Sequence, residues 1–197
     1  MDTILITGGL GFLGTHLVTK LSELGPIVRI LDRVKPSKEQ IKVDNSNIIW
    51  GDIRDQKAVN KAVEGTDIVI HLVSNFRRGG SDKKEANDIN VKGTENVLRA
   101  VHLFRIKQLI HCSTIGVHGD VQEIPANEET AFNPKDIYQE TKLLAEKRVW
   151  ECFRSAKIPT TVIRPISIIG PGDFRMLKLF RMIKNRWFII VGNGKAL

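Results

Sequence analysis

Apolar residues in this chain form short continuous runs that alternate with longer segments of helical spacing. The runs are rich in β-branched residues, as expected for strands buried on both faces of a parallel sheet. They lie at 3–6, 27–31, 47–50, 67–72, 108–112, 160–163 and 187–191. The helical segments lie at 12–24, 55–64, 83–104, 136–157 and 174–184. Strands that alternate with helices predict an α/β fold, a doubly wound parallel sheet with helices on both faces.

Composition limits the classes of protein that fit this pattern. The 197 residues are 42% hydrophobic and 26% charged, which is typical of a globular protein. No apolar run is long enough for a membrane span, and no secretory signal opens the sequence. The two cysteines lack metal-ligand spacing, so we predict reduced thiols, no metal site and a cytoplasmic location.

The formal net charge of +8 raises the question of a nucleic-acid partner. The basic residues are scattered, however, and acidic or apolar residues interrupt the densest groups. This distribution favours a solvated surface with some attraction for anionic ligands, and we predict binding to neither nucleic acid nor membranes.

The first strand leads directly into a glycine turn, Thr7-Gly-Gly-Leu-Gly-Phe-Leu-Gly14, and then into a helix. A strand, a glycine turn and a helix in this order predict a dinucleotide site. Gly8 permits the turn, Gly11 lets the backbone approach a pyrophosphate, and Gly14 lets helix and strand pack closely. The N–H groups of Phe12 and Leu13 open the helix, whose positive end faces the phosphates.

Asp32 ends the second strand, at the distance from the turn where an acid contacts a ribose hydroxyl. Its carboxylate would repel a 2′-phosphate, so NAD is the favoured cofactor. Arg33 stands beside it and could accept that phosphate, which leaves NADP possible.

A second group of candidate residues follows the strand at 108–112. Tyr138 and Lys142 are four residues apart, so a helix places them on one face. A nearby ammonium favours phenolate and brings a tyrosine pKa toward the range of a useful base. Ser113 and Thr114 stand at the strand's carboxyl end, which borders the ligand crevice of such sheets and places a hydroxyl near a substrate alcohol.

With these motifs the chain resembles the extended short-chain dehydrogenase/reductase family, the NAD-dependent epimerase/dehydratase group, over essentially its whole length. The resemblance rests on the order and spacing of seven motifs. They are Thr7-Gly-Gly-Leu-Gly-Phe-Leu-Gly14, Gly51-Asp-Ile-Arg-Asp55, His71-Leu-Val-Ser74, Asn90-Val-Lys-Gly-Thr-Glu-Asn-Val-Leu98, His111-Cys-Ser-Thr114, Tyr138-x-x-x-Lys142 and Arg164-Pro165…Gly170-Pro-Gly-Asp173.

The resemblance implies a Rossmann domain over 1–170 and the beginning of a substrate lobe over 171–197. It implies that Thr114 holds the substrate hydroxyl, that Tyr138 is the acid/base, and that Lys142 tunes the tyrosine and binds the nicotinamide ribose. Ser113 and Ser167 join Thr114 as candidate substrate contacts. The remaining implied cofactor residues are Asp52 and Ile53 at the adenine, Leu72, Val73 and Ser74 along the groove, and Asn90 and Pro165 near the nicotinamide.

The function implied is oxidation of a sugar-nucleotide hydroxyl through a transient keto intermediate, as in an epimerase. Ser167 stands where a nucleotide-sugar enzyme usually has Asn, and His118 where the family often has Tyr. These departures keep open a hydroxysteroid- or dihydroflavonol-type alcohol dehydrogenase or reductase. The sequence after Thr114 lacks the acid pair of sugar 4,6-dehydratases, which disfavours dehydration.

Two further alternatives concern the whole molecule. A non-catalytic dinucleotide sensor could use the same fold, although it would not need the Tyr138–Lys142 pair. Members of the family run to about 300 residues, so we expect a truncated chain whose substrate lobe is largely missing and whose activity is reduced. A homodimer through the two long helices is a further expectation.

Overall fold

The computed structural model describes residues 1–34, 47–76, 82–121 and 124–187. Its strands form one six-stranded parallel sheet in the order β3-β2-β1-β4-β5-β6. They are β1 (Thr3–Thr7), β2 (Ile27–Asp32), β3 (Ile48–Trp50), β4 (Ile68–His71), β5 (Gln108–Cys112) and β6 (Thr160–Ile163). The strand order reverses between β1 and β4, and a ligand crevice opens at such a switch point. The predicted doubly wound sheet is confirmed.

Helices follow β1, β3, β4, β5 and β6 along the chain, as the alternating pattern predicts. They are α1 (Phe12–Leu24), α2 (Gln56–Val63), α3 (Lys83–Asn87), α4 (Gly93–Leu103), α5 (Ile137–Ala156) and α6 (Phe174–Lys184). A π-helical turn over Asp88–Lys92 joins α3 to α4, and a 3₁₀ turn over Ile115–His118 follows β5. The predicted helix at 83–104 is therefore one continuous helical segment with a local change of hydrogen bonding.

The core has two apolar layers because successive side chains of a strand point to opposite faces. In β1, Leu5 joins the cluster beneath α2, α4 and α5, while Ile4 and Ile6 join the cluster beneath α1. Both faces of β1 are thus buried, which explains why its apolar residues form a run instead of alternating with polar ones.

The chain divides into two compact units, Met1–Ile166 and Ser167–Leu197, where the sequence placed the division after residue 170. The second unit contains α6, whose Phe180 and Ile183 are exposed. The predicted strand at 187–191 lies outside the described residues except for Trp187, which is not in a strand. No helix among the described residues is long and apolar enough to cross a membrane.

Candidate active site

The turn between β1 and α1 depends on two of its glycines. Gly8 has a φ of +74°, in the region that favours glycine. A Cβ atom on Gly14 would lie 2.7 Å from the Cα of Gly9 and would also collide with the carbonyl oxygen of Gly8. Gly11 is the N-cap residue of α1 and has no side chain with which to cap that helix end. The turn therefore brings bare backbone to the start of α1, as a pyrophosphate site requires.

Asp32 lies beside this turn. Its Oδ2 accepts a hydrogen bond from the N–H of Leu10 at 3.0 Å, and its Oδ1 accepts one from the N–H of Val34 at 3.1 Å. The carboxylate is thus held at the carboxyl end of β2, next to the glycine turn.

Asp52 forms ion pairs with two arginines. Arg54 Nη2 lies 2.7 Å from Asp52 Oδ2, and Arg33 Nη1 lies 3.3 Å from the same oxygen. Hydrogen bonding from Arg54 lowers the pKa of Asp52 to about 2. The guanidinium of Arg33 therefore forms its ion pair with Asp52.

The glycine turn and these acids line a cavity of about 300 Å³. Several predicted cofactor residues meet there: Gly8, Gly11, Asp32, Arg33, Asp52, Ile53, Leu72, Val73 and Ser74. Sequence analysis did not single out Asn75 and Glu85, which also line it. The glycine turn offers backbone N–H groups that suit the diphosphate of a dinucleotide. Asp32 lies beside it, where an acid can bind the ribose of the adenosine half.

Asn90 is a predicted cofactor residue that lies in the core beside the cavity wall. It is 1% exposed, in the π-helical turn, and does not line the cavity. Its Oδ1 accepts from the N–H of Asn75 at 2.7 Å, and its Nδ2 donates to Thr141 Oγ1 at 2.9 Å. Asn90 thus ties the cavity wall to α5.

Tyr138 lies in the first turn of α5, which Asp136 caps by accepting from the N–H of Gln139 at 2.8 Å. The phenol ring packs edge-on against Phe76, with ring centroids 4.8 Å apart. Phe76 directly follows the cavity-lining residue Asn75. The loop after β4 therefore leads from the cavity to Tyr138.

Lys142, one helical turn after Tyr138, is 2% exposed. Its Nζ donates to the carbonyl oxygen of Cys112 at 2.6 Å. Burial lowers the pKa of Lys142 to about 8. The side chain is therefore held at the end of β5, and desolvation makes its ammonium group more acidic than that of a lysine in water.

The two hydroxyls after β5 differ in their surroundings. Ser113 is 3% exposed, and its hydroxyl donates to Glu146 Oε2 at 2.6 Å. Thr114 is partly exposed, and its Oγ1 accepts from the N–H of Gly116 at 3.1 Å. A threonine hydroxyl that accepts this bond still has its proton to donate, so Thr114 can contact a ligand oxygen.

The predicted residues not yet described occupy several parts of the chain. Phe12 and Leu13 open α1 but do not line the cavity. The carbonyl oxygen of Pro165 accepts from the N–H of Ile115 at 3.1 Å, which joins the segment after β6 to the 3₁₀ turn. Ser167 belongs to the second compact unit.

The sequence did not predict a buried ion pair between Arg164 and Glu146, which lies one helical turn after Lys142. Glu146 is 1% exposed, and its Oε1 lies 2.6 Å from Arg164 Nη2. Arg164 Nη1 also donates to His118 Nε2 at 3.2 Å. Because a guanidinium only donates, His118 must accept through Nε2 and carry its proton on Nδ1. The signal available in the sequence was the spacing of four between Lys142 and Glu146, which is common on any helix.

Comparison with known proteins yields the same family from sequence and from structure. The sequence model described as the NAD dependent epimerase/dehydratase family matches residues 4–197. A 3 beta-hydroxysteroid dehydrogenase/Delta 5→4-isomerase of Mycobacterium tuberculosis is 34% identical over 100% of this chain and 55% of its own length. A putative UDP-glucose 4-epimerase of Methanocaldococcus jannaschii is 30% identical over 97% of this chain and 66% of its own.

Solved structures agree. UDP-glucose 4-epimerase of Brucella ovis in complex with NAD has a TM-score of 0.77 and 27% identity, covering 83% of this chain and 51% of that one. UDP-glucose 4-epimerase of Thermotoga maritima with UDP-glucose has a TM-score of 0.83 and 25% identity, covering 98% and 67%. The chain spans about half the length of most curated relatives it matches. By its sequence match and its six-stranded sheet, the chain belongs to the NAD-dependent epimerase/dehydratase family, within the extended short-chain dehydrogenases/reductases.

Proposed function

We propose that the chain provides the site for hydride transfer between a secondary alcohol and NAD, with Tyr138 as the proton acceptor. The observation that carries this proposal is the placement of two residues of α5. Tyr138 contacts Phe76, which directly follows the cavity-lining residue Asn75 in the loop after β4. Lys142 lies one turn deeper, buried against the carbonyl of Cys112. A dinucleotide sensor has no use for this pair.

The proton chemistry follows from the charge on Lys142. An ammonium close to a phenol favours the phenolate, and this is the role that we propose for Lys142 beside Tyr138. The phenolate then takes the proton of a substrate hydroxyl, while Thr114 donates a hydrogen bond to the same oxygen and orients it. The nicotinamide, when bound, accepts the hydride from the substrate carbon. Because the pKa of Lys142 is about 8, its charge is lost above that pH, and activity should fall on the alkaline side.

The cofactor assignment to NAD instead of NADP rests on the carboxylate of Asp32. Its two hydrogen bonds hold it at the end of β2, where a 2′-phosphate would be repelled. Arg33, the residue that could accept that phosphate, is paired with Asp52. Replacing Asp32 with Ala should narrow the preference for NAD over NADP, measured by equilibrium titration of both. Preferential saturation of the unaltered protein by NADP would refute the assignment.

The first candidate substrate is a sugar nucleotide, oxidised to a transient keto form and reduced on its other face. Relatives named as UDP-glucose 4-epimerases and the formal charge of +8 support it. The second candidate is an apolar cyclic alcohol such as a hydroxysteroid. Phe76 and Ile115 favour it, because both side chains are more than one third exposed and neighbour the proposed site residues Tyr138 and Thr114.

A substrate panel tests the proposal. Sugar nucleotides and hydroxysteroids are incubated with NAD, and the absorbance of the reduced nicotinamide is followed together with product analysis. A dehydrogenase accumulates reduced nicotinamide, whereas an epimerase converts its substrate without net reduction. Replacing Tyr138 with Phe should lower kcat by about 10² or more. Replacing Lys147, exposed on the same helix, with Met is the matched control and should leave kcat unchanged. Full activity in the Tyr138→Phe protein would refute the assignment.

A further inference from the structure

Side chains from two consecutive turns of α5 form hydrogen bonds with Cys112, the last residue of β5, and with Ser113, which directly follows it. The carbonyl oxygen of Cys112 accepts from Lys142 Nζ at 2.6 Å, and the hydroxyl of Ser113 donates to Glu146 Oε2 at 2.6 Å. Lys142 and Glu146 are four residues apart, so these side chains share one face of the helix. The backbone that receives Lys142 is therefore fixed by the neighbouring contact to Glu146.

The carboxylate of Glu146 is itself held on several sides. Arg164 Nη2 lies 2.6 Å from Oε1, and Arg164 Nε lies 3.2 Å from both oxygens. Trp150 Nε1 donates to Oε1 at 3.3 Å. Burial opposes ionisation, but hydrogen bonds from Arg164 and Ser113 bring the pKa of Glu146 below its usual range. Glu146 is thus a buried carboxylate with a fixed position and a full negative charge.

The charged and titratable groups around Lys142 come from three elements. His71 of β4 and His111 of β5 are fully buried, and burial lowers the pKa of both, so both are neutral near pH 7. Cys112 of β5 is a partly buried thiol whose pKa burial raises. Burial is the largest effect on the pKa of Lys142 and lowers it, while electrostatic interactions with Cys112 and then Glu146 raise it. Of these two groups, Glu146 of α5 is the one whose own pKa is lowered, so it is ionised near pH 7.

We propose that Glu146 is a positioning residue for Lys142: bound to Ser113 and Arg164, it fixes the end of β5 and keeps Lys142 in the ammonium form. The role in catalysis rests on the proposed function, because the ammonium matters through Tyr138. Ser113, predicted as a substrate contact, serves here as the link between Glu146 and β5.

The direct test measures the protonation of Lys142 by NMR, using lysine labelled with ¹³C at Cε. Replacing Glu146 with Gln removes the charge and keeps the shape. The carboxylate of Glu146 raises the pKa of Lys142, and the opposite charge of Arg164 offsets part of this effect. We expect the pKa of Lys142 to fall by roughly half to one unit. Replacing Glu151, an exposed acid of the same helix, with Gln is the control and should not change it. An unchanged pKa of Lys142 in the Glu146→Gln protein would overturn the proposal.

The pH profile of activity provides the second readout. In the Glu146→Gln protein, the alkaline limb should move to lower pH, so that kcat at pH 8 falls about twofold to fivefold relative to its value at pH 6.5. A purely structural role would lower kcat by the same factor at both pH values, and that result contradicts the proposal.

The Glu146→Gln substitution also affects folding, because it leaves the largely buried charge of Arg164 without its partner and lowers the stability of the protein. If circular dichroism shows that the Glu146→Gln protein is unfolded, the double variant with Arg164→Gln removes both charges. In the double variant the pKa of Lys142 should fall by less than in the Glu146→Gln protein, and no fall would overturn the proposal. The NMR titration needs no substrate, so its outcome stands even if Tyr138→Phe keeps activity and the proposed function fails.

Discussion

Lowering the pH should destabilise this fold through the buried histidine of β4. His71 is 1% exposed, and both ring nitrogens have partners in the core. Thr94 Oγ1 donates to the carbonyl oxygen of Asn90 at 2.6 Å, so it must accept from His71 Nε2, which lies 3.0 Å away. Thr7 Oγ1, 2.7 Å from Nδ1, is then the donor to the ring. The ring is neutral, and a second proton on Nδ1 would require the Thr7 hydroxyl to accept a hydrogen bond instead of donating one.

The magnitude follows from the pKa of His71. Burial lowers it from 6.5 to about 3. The unfolded chain therefore takes up a proton below pH 6.5 that the folded protein does not, and stability present above that pH is lost as the pH falls toward 3. Between pH 7.5 and 5.0 this difference amounts to about 2 kcal/mol of the free energy of unfolding. His111 contributes a loss of the same sign, because burial also lowers its pKa.

Urea unfolding followed by circular dichroism at pH 7.5, 6.5, 5.5 and 5.0 checks this. Acidic side chains contribute little in this range because their unfolded pKa values lie near 4. In a His71→Gln protein the loss of stability between pH 7.5 and 5.0 should shrink by about 2 kcal/mol. His102→Gln, at an exposed position, should leave the loss unchanged. The reasoning fails if unfolding free energy of the unaltered protein is independent of pH, or if His71→Gln keeps the whole loss.

Three further changes test the packing that supports the site. Gly14→Ala should lower the free energy of unfolding by about 1–3 kcal/mol because its Cβ meets backbone atoms. Gly11→Ala should lower the free energy of unfolding by less, and thermal melts of the two proteins measure the difference. Asp55→Ala should cost about 1 kcal/mol in urea unfolding because the carboxylate caps α2, and Asp55→Asn should restore most of it. His111→Leu should add about 1 kcal/mol at pH 7.5, since among the described residues neither ring nitrogen has a hydrogen-bond partner; an unchanged or lower value would contradict this.

The fold could be predicted because its signals are local. The run of apolar residues in β1 and the helical spacing of α1 each depend on neighbours within a few residues, and the observed bounds of α1, β5 and β6 match the predicted ones. The glycine turn was predictable for the same reason, since backbone conformation at Gly8 is set within the turn itself.

Other parts of the site depend on residues far apart in sequence. The pairing of Glu146 with Arg164 requires α5 and the end of β6 to pack together, and an isolated arginine after a strand does not predict it. Asn90 matched a family motif that implies cofactor contact, but the π-helical turn places it between the loop after β4 and α5. Phe76 gave no periodic signal, because it lies in a loop.

Burial increases along the first turns of α5. Tyr138, Lys142 and Glu146 follow at intervals of four, and the sequence runs from a partly exposed phenol to a lysine and a carboxylate that are almost fully enclosed. Isolated buried charges are unfavourable, so the lysine and the carboxylate require the carbonyl of Cys112 and the guanidinium of Arg164. Those partners sit at the carboxyl ends of β5 and β6, the side of the sheet where parallel strands open their crevice. The same contacts that make the buried charges tolerable therefore hold α5 against the carboxyl ends of β5 and β6.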